Sequence, residues 1–229
     1  GGCVLCKCTA TTESYSLYLH DVLPIWRRAQ VRHRPEPDGR RRHHLPLGRR
    51  PGVDPCQWIE TMKLTAHQLE QFDRDGYVFF PELFSPPEVA VLTAELPRIF
   101  ALDRPEILRA ESGEIRGALA MERYSEPFAR LLRHPRLVEP AHQVLGGRVY
   151  SHQYKVIAKE PFGDLDFPWH QDFASWRAND GMPEPLAMNY AVFLDEVSEF
   201  NGPITLIPGS HRDGCLPSEA RDLPGSTPL

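Results

Sequence analysis

The sequence predicts an α+β fold, with helices packed on a mostly antiparallel β core. Three observations carry that prediction. Apolar residues recur at helical spacing from residue 62 to about 145, then alternate at a period of 2 from about 148 onward. Helix and strand signatures therefore come in two runs, not in the βαβ alternation of a parallel sheet. The 229 residues are 41% hydrophobic and 25% charged, enough for one sizeable core.

Residues 1–61 stand apart from the rest. They hold 10 Lys/Arg against 6 Asp/Glu, a surplus of +4 in a chain of net charge −5, which leaves −9 for residues 62–229. The Arg-, Pro- and Gly-rich stretch that ends near Pro55 has no period of 2 or 3.6 and too little apolar surface to offset its ordering entropy. Glu13 to Ile25, ESYSLYLHDVLPI, is similar to a translated sequencing adapter, and the chain opens with Gly-Gly. Residues 1–61 are thus read as a non-native or disordered leader, with Met62 as the expected start of the domain covering 62–229. Cys3-x-x-Cys6-x-Cys8 has no fourth ligand at finger-like spacing and is not read as a zinc site.

The elements then follow in order. Thr65 and Gln68 form a capping box, Leu69 and Phe72 an apolar stripe, and Gly76 a stop, which predicts a helix. Tyr77–Phe80 is a short strand. Ser85-Pro86-Pro87-Glu88 opens a second helix, continued by Val89, Leu92, Leu96, Ile99 and Phe100. A third helical region covers about 125–145, with Leu131, Leu132, Leu137, Val138 and Val144 apolar and Gly146-Gly147 as its end. Strands are predicted at about 148–159, 166–173, 186–195 and 203–207. No further strand pattern follows Pro208.

The stretch from Pro168 to Trp176, PWHQDFASW, carries the chemistry. On a strand, positions i and i+2 share a face, so His170 and Asp172 project together as one imidazole and one carboxylate. That pair is two thirds of the 2-His-1-carboxylate facial triad of non-haem iron oxygenases. Trp169 and Phe173 alternate with it and are expected in the core. On the strand 148–159, Gln153, Lys155 and Lys159 share one face and Tyr150, His152 and Tyr154 the other. The first face is either solvent or barrel interior. Asn189 is left between lumen and core. Arg177 to Pro185 is polar and turn-rich and suits a lid.

Three blocks resemble the phytanoyl-CoA dioxygenase family of Fe(II)/2-oxoglutarate oxygenases: KLTAHQLEQFDRDGYVFFPELFSPPEV, FPWHQDFASWRANDGMPEP and AVFLDEVSEFNGPITLIPGSHRDG. They span roughly 63–213 in the family's order, and the second is especially like the ectoine hydroxylase branch. The resemblance implies a double-stranded β-helix, a jelly-roll or cupin-like core with flanking helices, here incomplete at the C-terminus. It implies iron(II) held by His170 and Asp172, with 2-oxoglutarate and O2 as cosubstrates. His211 lies in the family's recurrent Pro-Gly-Ser-His turn and is not expected to be the third ligand. That ligand and the Arg that pairs with 2-oxoglutarate are expected beyond residue 229, and Arg221 is not taken for that Arg. Lys155 and Lys159 are assigned to the cosubstrate, Gln153 and Trp176 to the substrate, with Trp176 at the pocket mouth. Lys155 stands where the ectoine branch has Arg. The presence of Asp172, which related halogenases lack, favours hydroxylation.

The expected activity is hydroxylation of a small metabolite, ectoine-like or amino-acid-derived, with 2-oxoglutarate decarboxylated to succinate. The alternatives are an acyl-thioester hydroxylase and a catalytically inactive truncated fragment. Net charge argues against a nucleic-acid partner. No apolar run approaches the roughly 18–20 residues of a membrane span. With four of five cysteines before Met62, no disulfide framework is visible and a cytoplasmic setting is expected. The oligomeric state is not legible.

Overall fold

In the computed structural model, residues 62–158, 169–197 and 203–215 are described in full, and 3–6, 11–12, 16–24 and 227–228 as backbone. The architecture is α+β. Helix α1 (Ala66–Asp75) starts at the expected capping box, where the Gln68 side chain accepts from the Thr65 backbone N–H at 2.9 Å. It stops at Gly76, whose φ of 83° is the left-handed conformation that glycine adopts without cost. Ahead of α1, Leu64 exchanges two hydrogen bonds with the Gln143 side chain, at 2.8 and 2.9 Å. Strand β4 (Tyr77–Phe80) follows at once.

Helix α2 (Pro86–Phe100) opens on Ser85, whose backbone N–H and hydroxyl both donate to the Glu88 carboxylate at 2.8 Å. Arg136 adds a third donor to Glu88 at 3.1 Å and also reaches Leu83 O, tying the start of α2 to a later helix. Burial pushes the Glu88 carboxyl up, but the Ser85 donors and the Arg136 guanidinium outweigh it and hold the group at about 2.

The expected helical region 125–145 is two helices, α3 (Glu126–Leu132) and α4 (Pro135–Leu145). The break falls at Pro135, which has no N–H to continue α3 and serves as the first residue of α4. His134 Nδ1 caps α4 by accepting from Arg136 N at 3.2 Å. A hairpin that the sequence reading did not assign, β5 (Ile107–Arg109) and β6 (Ile115–Leu119), precedes α3. The later strands are β7 (Val149–Ile157), β8 (Asn189–Phe193) and β9 (Thr205–Leu206).

The strand expected at 166–173 is corrected. His170 makes a single bridge and Asp172 begins helix α5 (Asp172–Asn179). Helical hydrogen bonding thus takes over from strand alternation at Asp172 itself.

The leader contributes backbone to the sheets, where the sequence reading placed no strand. These strands are β1 (Cys3–Cys6), β2 (Thr11–Thr12) and β3 (Ser16–Pro24). The larger sheet runs β4-β1-β8-β3-β7-β6-β5 and all its pairs are antiparallel. β3 therefore separates β7 from β8. The smaller sheet is β10-β9-β2, in which β10 (Thr227–Pro228) is a second element outside the sequence expectation. The Arg- and Pro-rich part of the leader lies outside the described residues.

Side chains of β7 and β8 alternate between two packed layers. Tyr154 and Val156 of β7 and Tyr190 and Val192 of β8 pack against helices through Phe72, Leu92, Ile99, Phe128, Leu131 and Leu137. Tyr154 Oη donates to Phe128 O at 3.0 Å and Tyr190 Oη donates to Leu137 O, so two tyrosines bolt the sheet to α3 and α4. Burial pushes the Tyr154 hydroxyl well up and keeps it a donor. The opposite face, with Ile157, Ala191 and Phe193, packs on Ile204 and Leu206. Among the described residues no helix is long and apolar enough to cross a membrane.

Two outcomes are expected from these contacts. A Cβ on Gly117 would lie 2.2 Å from Val156 O in the neighbouring strand, at a φ of +154°. Gly117→Ala should therefore cost about 1–3 kcal/mol or more in urea unfolding. Glu88 is depressed from 4.5 to about 2 on folding. It stabilises the fold above pH 4.5, and that contribution is lost as pH falls toward 2. Glu88→Gln should flatten the stability profile in that window, read from denaturation midpoints.

Candidate metal centre

His170 and Asp172 sit at the junction of an extended segment and α5. Between them Gln171 turns the other way. It is 4% exposed and donates from Nε2 to Ser210 O at 3.1 Å. Trp169 is buried as well. The two pins leave His170 and Asp172 to face together, with His170 Nε2 3.6 Å from Asp172 Oδ1. Asp172 is also in the first turn of α5, where the exposed N–H ends of the helix favour a negative charge.

The second oxygen of Asp172 is taken by a residue from β8. Asn189 Nδ2 donates to Asp172 Oδ2 at 2.7 Å. The carboxylate is thus divided, Oδ1 toward the imidazole and Oδ2 toward an amide. Asn189 Oδ1 is buried and accepts no hydrogen bond. The sequence left Asn189 undecided, and its role was not foreseen. The signal was present: a lone polar residue heads NYAVF, a strand buried at every position.

Two donor atoms that share one first-row divalent ion each lie about 2.1 Å from it, hence at most about 4.2 Å from one another. The 3.6 Å separation of Nε2 and Oδ1 falls within that limit, and imidazole with carboxylate is an iron-compatible donor set. These two residues fit a bound iron as a partial cradle. Among the described residues no group of three or more His, Cys, Asp or Glu is placed to hold a metal. His211 is held elsewhere: it stands on the turn Ser210–Arg212, where its Nε2 meets Asp73 O at 3.0 Å beside Arg212, which also binds Asp73.

The other expected residues distribute as follows. Gln153 is exposed and Lys155 half-buried on β7, on the face that carries Ile157. Gln153 and Asn189 are both register partners of residue 20 in β3, so they stand in one row across the sheet. Lys159 lies outside the described residues. Trp176 is not at a mouth: it is 3% exposed, packed with Phe173, Met182 and Ala187. Its indole meets the His152 ring edge-on at 5.6 Å, and His152 Nε2 in turn lies 3.1 Å from Asp180 Oδ2. Of the expected lid, Arg177–Asn179 ends α5 and Met182 is buried, while the other residues of 177–185 are exposed. Phe173 and Trp169 are in the core as expected.

A cavity of about 270 Å³ borders Gln171, Phe173, Arg177, Glu184 and His211. A larger hollow of about 880 Å³ lies between α2 and the end of β8, lined by Phe79, Val89, Thr93, Phe193 and Asp195, and touches none of the described site residues.

The profile of the phytanoyl-CoA dioxygenase (PhyH) family matches residues 72–227. An L-proline trans-4-hydroxylase of Streptomyces griseoviridis is 41% identical over 152 residues, 66% of this chain and 57% of that protein. An ectoine dioxygenase of Bordetella parapertussis is 39% identical over 168 residues, 69% of this chain and 54% of that protein. The chain therefore spans somewhat over half the length of the curated relatives it matches. A crystal structure of EctD from S. alaskensis with bound Fe superposes with a TM-score of 0.59 at 35% identity, over 71% of this chain and 61% of that one. One with 2-oxoglutarate and 5-hydroxyectoine gives 0.58.

Burial separates two of the expected residues. Trp176→Ala should lower stability by about 3–5 kcal/mol, whereas Gln153→Ala at its exposed position should stay within about 0.5 kcal/mol. Chemical denaturation of both variants checks the contrast.

Proposed function

The chain belongs to the phytanoyl-CoA dioxygenase family, and on that footing we propose that it is part of an Fe(II)/2-oxoglutarate-dependent dioxygenase that hydroxylates a small metabolite. The observation that carries the reading is the paired presentation of His170 Nε2 and Asp172 Oδ1 at 3.6 Å, with Asp172 Oδ2 held by Asn189. The double-stranded β-helix is proposed as the architecture, supported by the layered packing of β7 and β8 against β9 and by the EctD structures.

Bound iron, with 2-oxoglutarate and O2, supplies the oxidising power that a C–H bond requires. The protein's own residues do the rest. His170 and Asp172 hold the metal with one neutral and one negative donor. Asn189 keeps the carboxylate from turning away. Gln171 and Trp169 fix the segment from behind, and the packed indole of Trp176 makes a rigid wall that keeps water from the far side of α5. On β7, Lys155 offers a cation to a 2-oxoglutarate carboxylate, and Lys159, outside the described residues, is assigned the same role by the family resemblance. Gln153 offers an amide to the substrate.

A small, amino-acid-derived substrate is the reading that the named relatives support, since they include a proline hydroxylase and ectoine dioxygenases. The net charge of −9 over residues 62–229 disfavours a thioester that carries several phosphates.

Anaerobic Fe(II) titration and succinate formation from 2-oxoglutarate test this. With two protein donors, Fe(II) is expected to bind more weakly than micromolar. His170→Ala and Asp172→Ala should each abolish both the binding and, with iron in excess, the succinate. Iron binding indifferent to both substitutions would overturn the site. Micromolar or tighter affinity in the unaltered chain would require a third protein ligand and return His211 to consideration.

A further inference from the structure

Asn189 carries one amide whose two ends are treated differently. Its nitrogen donates to Asp172 Oδ2 at 2.7 Å, while its oxygen is buried and accepts nothing. The residue is 6% exposed. The assignment of the two ends follows from the partner, because an ionised carboxylate only accepts and so must meet the nitrogen. A buried carbonyl without a donor is costly, and native proteins retain one where something outside the chain completes it.

What completes it is constrained by chemistry. Oδ1 shares a carbon with the donating nitrogen, so it borders the same carboxylate and the same His170–Asp172 pair. 2-Oxoglutarate and O2 bring acceptors and leave the need unmet. The donor must be an N–H or O–H, carried either by the molecule being oxidised or by a water held in the site. The surroundings favour the former. Asn189 stands in one row with Gln153, two strand spacings away on the same face. That is about 10 Å between backbones, with residue 20 of β3 between them.

Building on the hydroxylase reading above, we propose that Asn189 is a specificity-determining residue. Its Nδ2 fixes Asp172, and its Oδ1 receives an N–H from the substrate, which is therefore a metabolite with a secondary amine, ammonium or ring N–H. The residue that orients the metal carboxylate is the same one that reads the substrate, so correct binding and correct ligand geometry are set by one amide plane.

The test uses the full chain with 2-oxoglutarate and Fe(II) in excess, anaerobically. Calorimetric titration compares L-proline with N,N-dimethyl-L-proline, which keeps the ring and carboxylate and lacks the N–H. The unaltered chain should prefer L-proline by about tenfold or more. In Asn189→Ala that preference should disappear, and Fe(II) affinity should drop about 10–100-fold because Asp172 loses its outer partner. Asn189→Ser keeps a hydroxyl able to donate to Asp172, so it should recover iron affinity and not the preference. Far-UV circular dichroism shows that the variants are folded. Preference retained in Asn189→Ala, or iron affinity unchanged there, overturns the proposal. So does an unaltered chain that loads iron and binds the two probes alike, which places a water at Oδ1. An unaltered chain that takes up no iron overturns the hydroxylase reading, and this inference with it.

Discussion

The burial of β8 on both faces is the constraint on which the rest of the structure depends. Every residue of Asn189–Phe193 is buried. Tyr190 and Val192 face the helices, and Ala191 and Phe193 face the second layer. A strand in that position has no solvent side, so the period of 2 leaves Asn189 no escape from the interior. A buried amide must be paired, and the donor end of Asn189 finds its partner in Asp172. The orientation of the candidate metal carboxylate is thus a consequence of how the core is layered, not of the local sequence around Asp172.

The same logic applies to the backbone that carries the pair. His170 ends an extended run and Asp172 begins a helix, so one peptide-length change of conformation sits between the two donors. Left alone, such a junction is soft. It is stiffened because the intervening Gln171 is tied to Ser210, whose turn is in turn docked on α1 through Gly209 N and Asp75 O at 2.8 Å. The helix start adds an electrostatic preference for the anion at Asp172. Three independent restraints therefore converge on one carboxylate: an amide on one oxygen, a helix end beneath it and a pinned neighbour.

What was legible in the sequence divides along the range of the interactions. Helices α1 and α2 were readable because capping boxes and stop residues act within four positions, and Thr65, Gln68, Gly76, Ser85 and Glu88 take those roles. His170 and Asp172 stand out in the sequence on an extended-backbone argument, but Asp172 begins a helix, so the two meet across a strand-to-helix junction that the spacing does not announce. The hairpin Ile107–Leu119 was not readable: its strands are short and Gly117 interrupts the alternation of the second. The start of α5 was misread because alternation and helix formation compete over Asp172–Asn179, and helical hydrogen bonds prevail. Trp176 was placed at a mouth, but a helix carries it inward to Phe173 and Met182. Asn189 required knowing the sheet order. Its contact with Asp172 spans 17 residues and its row partner Gln153 lies across β3, so nothing local announces either.

Size is a poor guide to the chemistry of this molecule, and the reason is physical. The hollow beside α2 is walled largely by apolar residues, among them Phe79, Val89, Ala90 and Phe193. Asp195 and Glu196 line it, and among the described residues no imidazole does, so these offer no mixed donor set for a transition metal. The His170–Asp172 pair is cramped by comparison, since its neighbours are bonded to it. Catalytic sites need that tightness, because a ligand atom free to swing by an ångström loses more in geometry than an open cavity returns in volume. The buried, singly satisfied amide of Asn189 is therefore the feature on which the proposed site rests, and not the volume of either cavity.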